Sequence, residues 1–176
     1  MAMIRLGLIG YGNMGSAHAR NIRDGKCPEV RVCAIADRRE ARRAMMREEQ
    51  PDVEIYAEGA DLIRRAQVDA VLIATPHEQH PELAIAAFAR GLHVLCEKPA
   101  GVYTLQVRQM NEAAARSGKT FGVMFNQRTN PMYMEMHRLL HSGELGRVKR
   151  VNWIVTDWYR TQIYYDSSAW RATWSG

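Results

Sequence analysis

Ile4-Arg5-Leu6-Gly7-Leu8-Ile9-Gly10-Tyr11-Gly12-Asn13-Met14-Gly15 runs from a short apolar segment into three glycines spaced G-x-G-x-x-G. An alanine-containing stretch of helical character comes next. A dinucleotide site needs this order: a buried strand, a tight turn, and a helix whose free N–H groups face a pyrophosphate. Gly10 permits the turn, Gly12 lets backbone approach phosphate, and Gly15 lets helix and strand pack closely. Glycine turns after strands are common, so the pattern carries weight only in context.

The context is present. Ala17, Ala19 and Ile22 give the following helix an apolar side, and Gly25 marks its end. Val30 to Ala36 is nearly all apolar, as expected of a parallel strand covered on both faces. That strand runs into Asp37, 22 residues beyond Gly15, where an acid meets the adenosine ribose in such sites. The bland alternative for Asp37 is a helix N-cap, and both roles can coexist. Glycines, strand and acid together point to a nicotinamide dinucleotide, contacted by Gly10, Tyr11, Gly12, Asn13, Met14, Gly15 and Asp37.

The rest of the chain repeats the alternation. Short strands are expected at Val53–Tyr56, Val68–Ala74, Leu92–Cys96 and Thr120–Phe125. Helices are expected over Ala60–Ala66, from Pro81 to Gly91, and from a Thr104 cap to Gly118. Six strands alternating with helices give an α/β fold, a doubly wound parallel sheet of order 3-2-1-4-5-6. Near Asn126 the pattern changes. Asn130 and Pro131 open a helix carrying Met132, Met136, Leu139 and Leu140, read as packing positions, with Gly143 at its end. A long strand is expected over Val148–Asp157. The division is therefore a dinucleotide-binding Rossmann domain at 1–126 and the beginning of a second, α+β substrate or oligomerisation domain at 127–176.

At 176 residues and 47% hydrophobic composition, the chain can bury one good core and part of another. It has no run near the roughly 18–20 apolar residues of a membrane span. Cys27, Cys33 and Cys96 are odd in number and lack metal spacing; buried thiols are expected at Cys33 and Cys96, and the cytoplasm fits best. The net charge of +5 permits an anionic ligand without demanding nucleic acid. Arg38, Arg39, Arg42, Arg43 and Arg47 read as the solvated side of a helix whose apolar positions are Ala41, Ala44 and Met45. Arg38 and Arg39 follow Asp37 and are placed to reach the adenosine ribose.

Ligands of doubly wound sheets lie beyond the carboxyl ends of the strands, across the point where strand order reverses. With the pyrophosphate at Gly10–Gly15, the nicotinamide extends over the fourth and fifth strands, where Thr75–His80 and Glu97–Pro99 emerge. Topology alone thus puts Lys98 near the reacting carbon. Gly10-Tyr11-Gly12-Asn13-Met14-Gly15, Ala74-Thr75-Pro76 with His80, and Cys96-Glu97-Lys98-Pro99 resemble the glucose–fructose oxidoreductase / inositol dehydrogenase / rhizopine catabolism (Gfo/Idh/MocA) family over essentially the whole chain. Glu-Lys-Pro is the most specific of these elements.

The resemblance implies that Lys98 is a catalytic-site lysine contacting the substrate hydroxyl and assisting proton transfer, that Glu97 lies beside the cofactor, and that the Lys98–Pro99 bond is cis. It implies that Thr75, Pro76, His77 and His80 border the cofactor, while Asn126 and Arg128 approach the nicotinamide and substrate. His77 departs from the asparagine common in the family, which leaves that contact open. A His77/His80 zinc site is disfavoured, because two nitrogens without thiol or carboxylate support make a poor site.

Arg160, Trp170 and Arg171 combine aromatic faces with multi-donor cations and are the remaining substrate candidates, with packing as their alternative role. The family's catalytic histidine and its acid would lie beyond residue 176. The chain is therefore expected to be truncated and to lack part of the catalytic machinery. The resulting expectation is an NAD-dependent oxidoreductase, with NADP as the other cofactor, acting on a sugar or polyol and homo-oligomeric at full length. The alternatives are a non-catalytic dinucleotide-binding regulator of the same fold and an inactive cofactor-binding fragment.

Overall fold

A computed structural model describes residues 2–156, 159–167 and 171–173. It divides into two units, Met1–Met124 and Phe125–Gly176.

The first unit is built on strands β1 (Ile4–Ile9), β2 (Val30–Ala36), β3 (Glu54–Tyr56), β4 (Ala70–Ile73), β5 (His93–Cys96) and β6 (Phe121–Val123). All neighbours are parallel, in the order β3-β2-β1-β4-β5-β6. This is the expected doubly wound arrangement, with order reversing between β1 and β4. Period-2 alternation sends successive side chains to opposite faces. Leu8, Ile35 and Leu72 join one core with Ala19 of α1 (Asn13–Arg23) and Met46 of α2 (Glu40–Glu49). Ile9, Ala34, Val71, Ile73 and Val94 join the other. Over this second face lie Leu62 of α3 (Gly59–Arg65), Ala84, Ala87 and Phe88 of α4 (His80–Ala89), and Met110 of α5 (Thr104–Ser117). Both faces are covered, which explains why the strands read as nearly continuous apolar runs.

Several local details differ from the pattern reading. The first residue of α5 is Thr104; the cap position falls on Tyr103 and uses no side-chain hydrogen bond. In α2, Ala41, Ala44 and Met45 are not buried, and the fully buried residue is Met46. Arg43 shares the inward side, donating from Nη1 to the carbonyls of Asp37 at 2.8 Å and Arg38 at 2.7 Å. Met46, three residues later on the same side of the helix, packs into the core. Of the thiols, Cys96 is buried, Cys33 half-buried and Cys27 exposed.

The second unit holds α6 (Pro131–Ser142) and the short α7 (Gln162–Asp166). Asn130 caps α6, its Oδ1 accepting from the Met132 amide at 3.0 Å, and Gly143 ends it in the left-handed conformation at φ 83°. Met132, Met136 and Leu140 are exposed rather than packed. The strand expected from Val148 is not formed: residues 148–156 join no ladder among the described residues, and Val151 and Ile154 are 75% and 83% exposed. Alternating apolar residues define a strand only when a neighbouring backbone pairs with them. No helix among the described residues is long and apolar enough to cross a membrane.

Candidate functional site

The site forms where β1, β4 and β5 end side by side, with Ile9 beside Ile73 and Ile73 beside Cys96. After β1 the chain turns at Gly10, whose φ is +97°. A Cβ there would lie 2.6 Å from the Ala74 carbonyl oxygen and 2.9 Å from the Thr75 amide nitrogen. The glycine turn therefore rests directly against the end of β4. Gly15 is held as closely to the turn: its Cβ would lie 1.9 Å from the Gly10 carbonyl oxygen. Gly12 is different. The nearest described atom to its Cβ position is Arg39 Nη2, 4.0 Å away. Open space over that backbone is what an approaching phosphate requires.

Helix α1 starts here, with Gly12 at the cap position, no side-chain cap and no acid in the first turn among the described residues. Its first amides, at Asn13, Met14 and Gly15, thus point out of the helix end without a capping side chain, and the helix dipole favours an anion at this place. Next to the turn, the Thr75 hydroxyl oxygen is buried and has no hydrogen-bond partner among the described residues. An orphaned hydroxyl, a glycine with open space and an uncapped helix N-terminus fit the pyrophosphate of a dinucleotide and the ribose beyond it.

Asp37 leaves β2 with its side chain 7% exposed. Its Oδ2 accepts from the Tyr11 amide at 2.8 Å and Arg39 Nη2 at 3.1 Å; its Oδ1 accepts from the Arg39 amide at 2.9 Å and Arg39 Nε at 3.1 Å. Burial alone would push this carboxyl up, but these hydrogen bonds overcome burial and hold it below its ordinary value. Asp37 is not the cap of α2, whose cap position is Arg39. Arg38 points elsewhere, donating from Nε to Glu58 at 2.8 Å. The arginine that reaches the Asp37 carboxylate is thus Arg39, not Arg38.

Two expected cofactor contacts are turned inward. Tyr11 is fully buried in the core beside β2, its amide committed to Asp37 and its hydroxyl donating to Glu49 at 2.7 Å. Burial and the Glu49 carboxylate push its phenol up to about 12. His80 is fully buried too, with Nδ1 2.8 Å from the Pro99 carbonyl oxygen and Nε2 2.8 Å from that of Thr75. Its ring clasps the segments that follow β4 and β5, leaving neither nitrogen for a ligand. His77 packs edge-to-face on that ring at 5.9 Å between centroids. Among the described residues no group of three or more His, Cys, Asp or Glu is placed to hold a metal ion.

Glu97, at the end of β5, is buried while its neighbour Lys98 is exposed. The Glu97 amide donates to the Ile73 carbonyl at 2.8 Å. Its Oε1 lies 2.8 Å from His18 Nε2 of α1, and its Oε2 accepts from the Lys98 amide at 3.2 Å. Burial would raise the Glu97 carboxyl; the His18 hydrogen bond, His18's charge and the Lys98 amide and charge bring it below its ordinary value. An ionised Glu97 therefore ties the dinucleotide-facing helix to the loop that presents Lys98. The sequence reading missed His18, since a lone histidine on a helix carries no spacing signal. Lys98–Pro99 is cis. Cys96 stays an inert core thiol, pushed up to about 12 by burial and the nearby Glu97 charge.

Within the second unit, Arg128 lies over the Phe125 ring at 5.2 Å. Asn126 opens the turn before it, its carbonyl accepting from the Thr129 hydroxyl at 2.8 Å. Arg160 and Arg171 converge on the Tyr164 ring, at 4.5 Å and 4.0 Å from its centroid. Trp170, the last substrate candidate, lies outside the described residues, as do Trp158 and Trp174.

Residues 4–125 match the oxidoreductase family with an NAD-binding Rossmann fold, Gfo/Idh/MocA. The chain belongs to this family. It is 37% identical over 145 residues to inositol 2-dehydrogenase 2 of Saccharopolyspora erythraea, covering 82% of this chain and 42% of that protein. Among solved structures it is similar to scyllo-inositol dehydrogenase from Lactobacillus casei with bound NAD(H) and scyllo-inositol (TM-score 0.76, 26% identity, 82% of this chain and 42% of that one). It shares a fold with the WlbA dehydrogenase from Chromobacterium violaceum (TM-score 0.87, 24% identity, 99% of this chain and 50% of that one). The chain thus spans less than half the length of the dehydrogenases named inositol dehydrogenases.

Proposed function

We propose that this chain carries the cofactor-binding half, and the catalytic lysine, of a nicotinamide-dependent dehydrogenase acting on a hydroxyl carbon of a sugar, a polyol or a related compound. Cyclic polyols are the first class to test, given the inositol dehydrogenases it resembles. The observation that carries the reading is Lys98: exposed just past the end of β5, on a loop that the buried Glu97 ties to His18 of α1, the helix that begins at the glycine turn. NAD is the cofactor the family implies.

The residues divide the work. The first-turn amides of α1 and the open backbone at Gly12 receive the pyrophosphate, and Asp37 faces the adenosine ribose. Thr75, Pro76, His77 and Glu97 border the cofactor farther along. Bound there, a nicotinamide supplies the hydride acceptor. Lys98 holds the substrate hydroxyl and passes on its proton, because an alcohol keeps that proton too tightly at neutral pH for unassisted hydride loss. His18 acts through Glu97 to hold the Lys98 backbone in place. Asn126, Arg128, Arg160, Trp170 and Arg171 are the proposed contacts of the second unit. A protein extending beyond residue 176 should oxidise a member of a polyol panel with NAD, and Lys98→Ala should lower its kcat at least a hundredfold with NADH binding within about twofold. Turnover undiminished by that substitution would remove Lys98 from the chemistry.

A further inference from the structure

We propose that the amino-terminal edge of the sheet, opposite the glycine turn, carries a phosphate-binding site formed around Arg90, Lys119 and His93. Its ligand is a free phosphate or the phosphate group of a small molecule.

Because the strands are parallel, β1, β4 and β5 begin side by side just as they end side by side. Arg5 lies near the start of β1, Asp69 just before β4, and His93 at the first position of β5. Backbone pairing runs out to this edge: the Asp69 amide donates to the Arg5 carbonyl at 2.8 Å, and the His93 amide to the Asp69 carbonyl at 3.1 Å. These residues, with Gln67, Arg90 and Lys119, line a cavity of about 310 Å³. That volume is at the lower end of the range small ligands occupy. Arg5 and Gly10 are separated by five residues of strand, about 17 Å, so this edge is remote from the cofactor end.

Three cations line the cavity, Arg5, Arg90 and Lys119, against one acid, Asp69. The acid is already compensated. Arg5 donates to it from Nε at 3.1 Å, from Nη2 at 2.6 Å and from its amide at 2.9 Å, which holds the Asp69 carboxyl down at about 2. Arg90 and Lys119 are not: among the described residues neither side chain makes a hydrogen bond or ion pair. Lys119 is half-buried, its Cε 3.8 Å from the Cβ position of Gly91 in the turn after α4. His93 adds a neutral donor, because its Nδ1 accepts from the Thr120 amide at 3.0 Å and leaves the ring proton on Nε2. The carbonyl end of α4 lies here and would oppose an anion. Its last carbonyls are spent, however, those of Ala86, Ala87 and Phe88 accepting from the amides of Arg90, Leu92 and Gly91. Two uncompensated cations and a donor match a dianion with several acceptor oxygens, with the Arg90 fork taking two of them and Lys119 acting as a point charge. A carboxylate would leave one of the two charges unmatched.

The test is a titration of the 176-residue chain with inorganic phosphate, followed by ¹H–¹⁵N NMR at constant ionic strength. Residue-resolved signals keep two places apart: Gly12 and Met14 report the glycine turn, His93 and Lys119 the cavity. The His93 and Lys119 signals should shift and saturate. Arg90→Ala and Lys119→Ala should each weaken that response about tenfold and leave the response of Gly12 unchanged. Arg47→Ala removes an equal charge on α2, where it pairs with Glu40, and should alter cavity binding by less than about twofold. Glucose 6-phosphate and glucose form the second arm. Tighter binding of the ester than of phosphate assigns the cavity to phosphorylated small molecules, equal binding assigns it to the free anion, and glucose should shift neither cavity residue. Cavity shifts that climb without saturating, that chloride or glucose reproduces, or that survive both substitutions overturn the site.

Discussion

The three glycines of the turn should respond to alanine in three distinct ways, and the differences separate folding from binding. At Gly15 the added methyl would sit 1.9 Å from the Gly10 carbonyl oxygen, with Ala74 Cβ 3.7 Å away. Relief requires α1 and the turn to part by on the order of 1 Å, in packing that forfeits much of its dispersion energy over that distance. Gly15→Ala should cost about 3 kcal/mol or more. At Gly10 the obstacle is again backbone, and φ of +97° adds strain; loss of the native turn is expected. At Gly12 nothing in the fold objects: φ is −78°, ψ is −163°, and the nearest described atom is the end of a flexible arginine. Gly12→Ala should leave stability within about 0.5 kcal/mol. Yet its methyl fills the space through which phosphate would reach the helix amides, and NADH affinity should fall about a hundredfold, equivalent to about 2.8 kcal/mol. Urea unfolding followed by circular dichroism gives the first quantity and fluorescence titration the second. A Gly12→Ala chain that folds and binds NADH as tightly as before would show that no phosphate approaches this backbone.

Burial and charge give two further expected outcomes. Met110 is fully buried against the α4 side of the sheet, so Met110→Ala should lower the unfolding free energy by about 3 kcal/mol, read from the urea midpoint at unchanged slope. Asp37 and Glu97 both have folded carboxyls below their ordinary values. Their contribution is fully present above the unfolded carboxylate pKa near 4 and is lost as pH falls through the lowered folded values. Stability should decline as pH falls below about 4, and Glu97→Gln should remove part of that decline; an identical decline in the variant would mean that Glu97 is not linked to folding.

What the linear order of residues determined was whatever repeats locally. Apolar runs of four to seven residues, each followed by a helical stretch, were enough for six strands and their order, because right-handed crossovers leave few ways to stack them. Asn130, Gly118 and Gly143 marked helix ends for the same reason: a cap acts on its own neighbours. The glycine turn and Glu97-Lys98-Pro99 were legible as stretches of contiguous chain. The tertiary structure alone decided the partnerships across elements. Whether Arg38 or Arg39 meets Asp37 depends on the φ and ψ with which the chain leaves β2, and a one-residue difference sends the guanidinium to Glu58 or to the carboxylate. Met46 rather than Met45 faces the core, on the side of α2 from which Arg43 reaches the Asp37 carbonyl, and the two neighbouring methionines are told apart only once the helix is packed on the sheet. Tyr11 and His80 sit in stretches that read as ligand contacts, yet burial claims both. His18 and Glu97 lie 79 residues apart, and no periodicity links them. They meet because parallel β1 and β5 flank β4, which brings the helix after one strand to the loop after the other. The alternating residues after Val148 show the converse limit. Alternation permits a strand, and only a paired neighbour makes one.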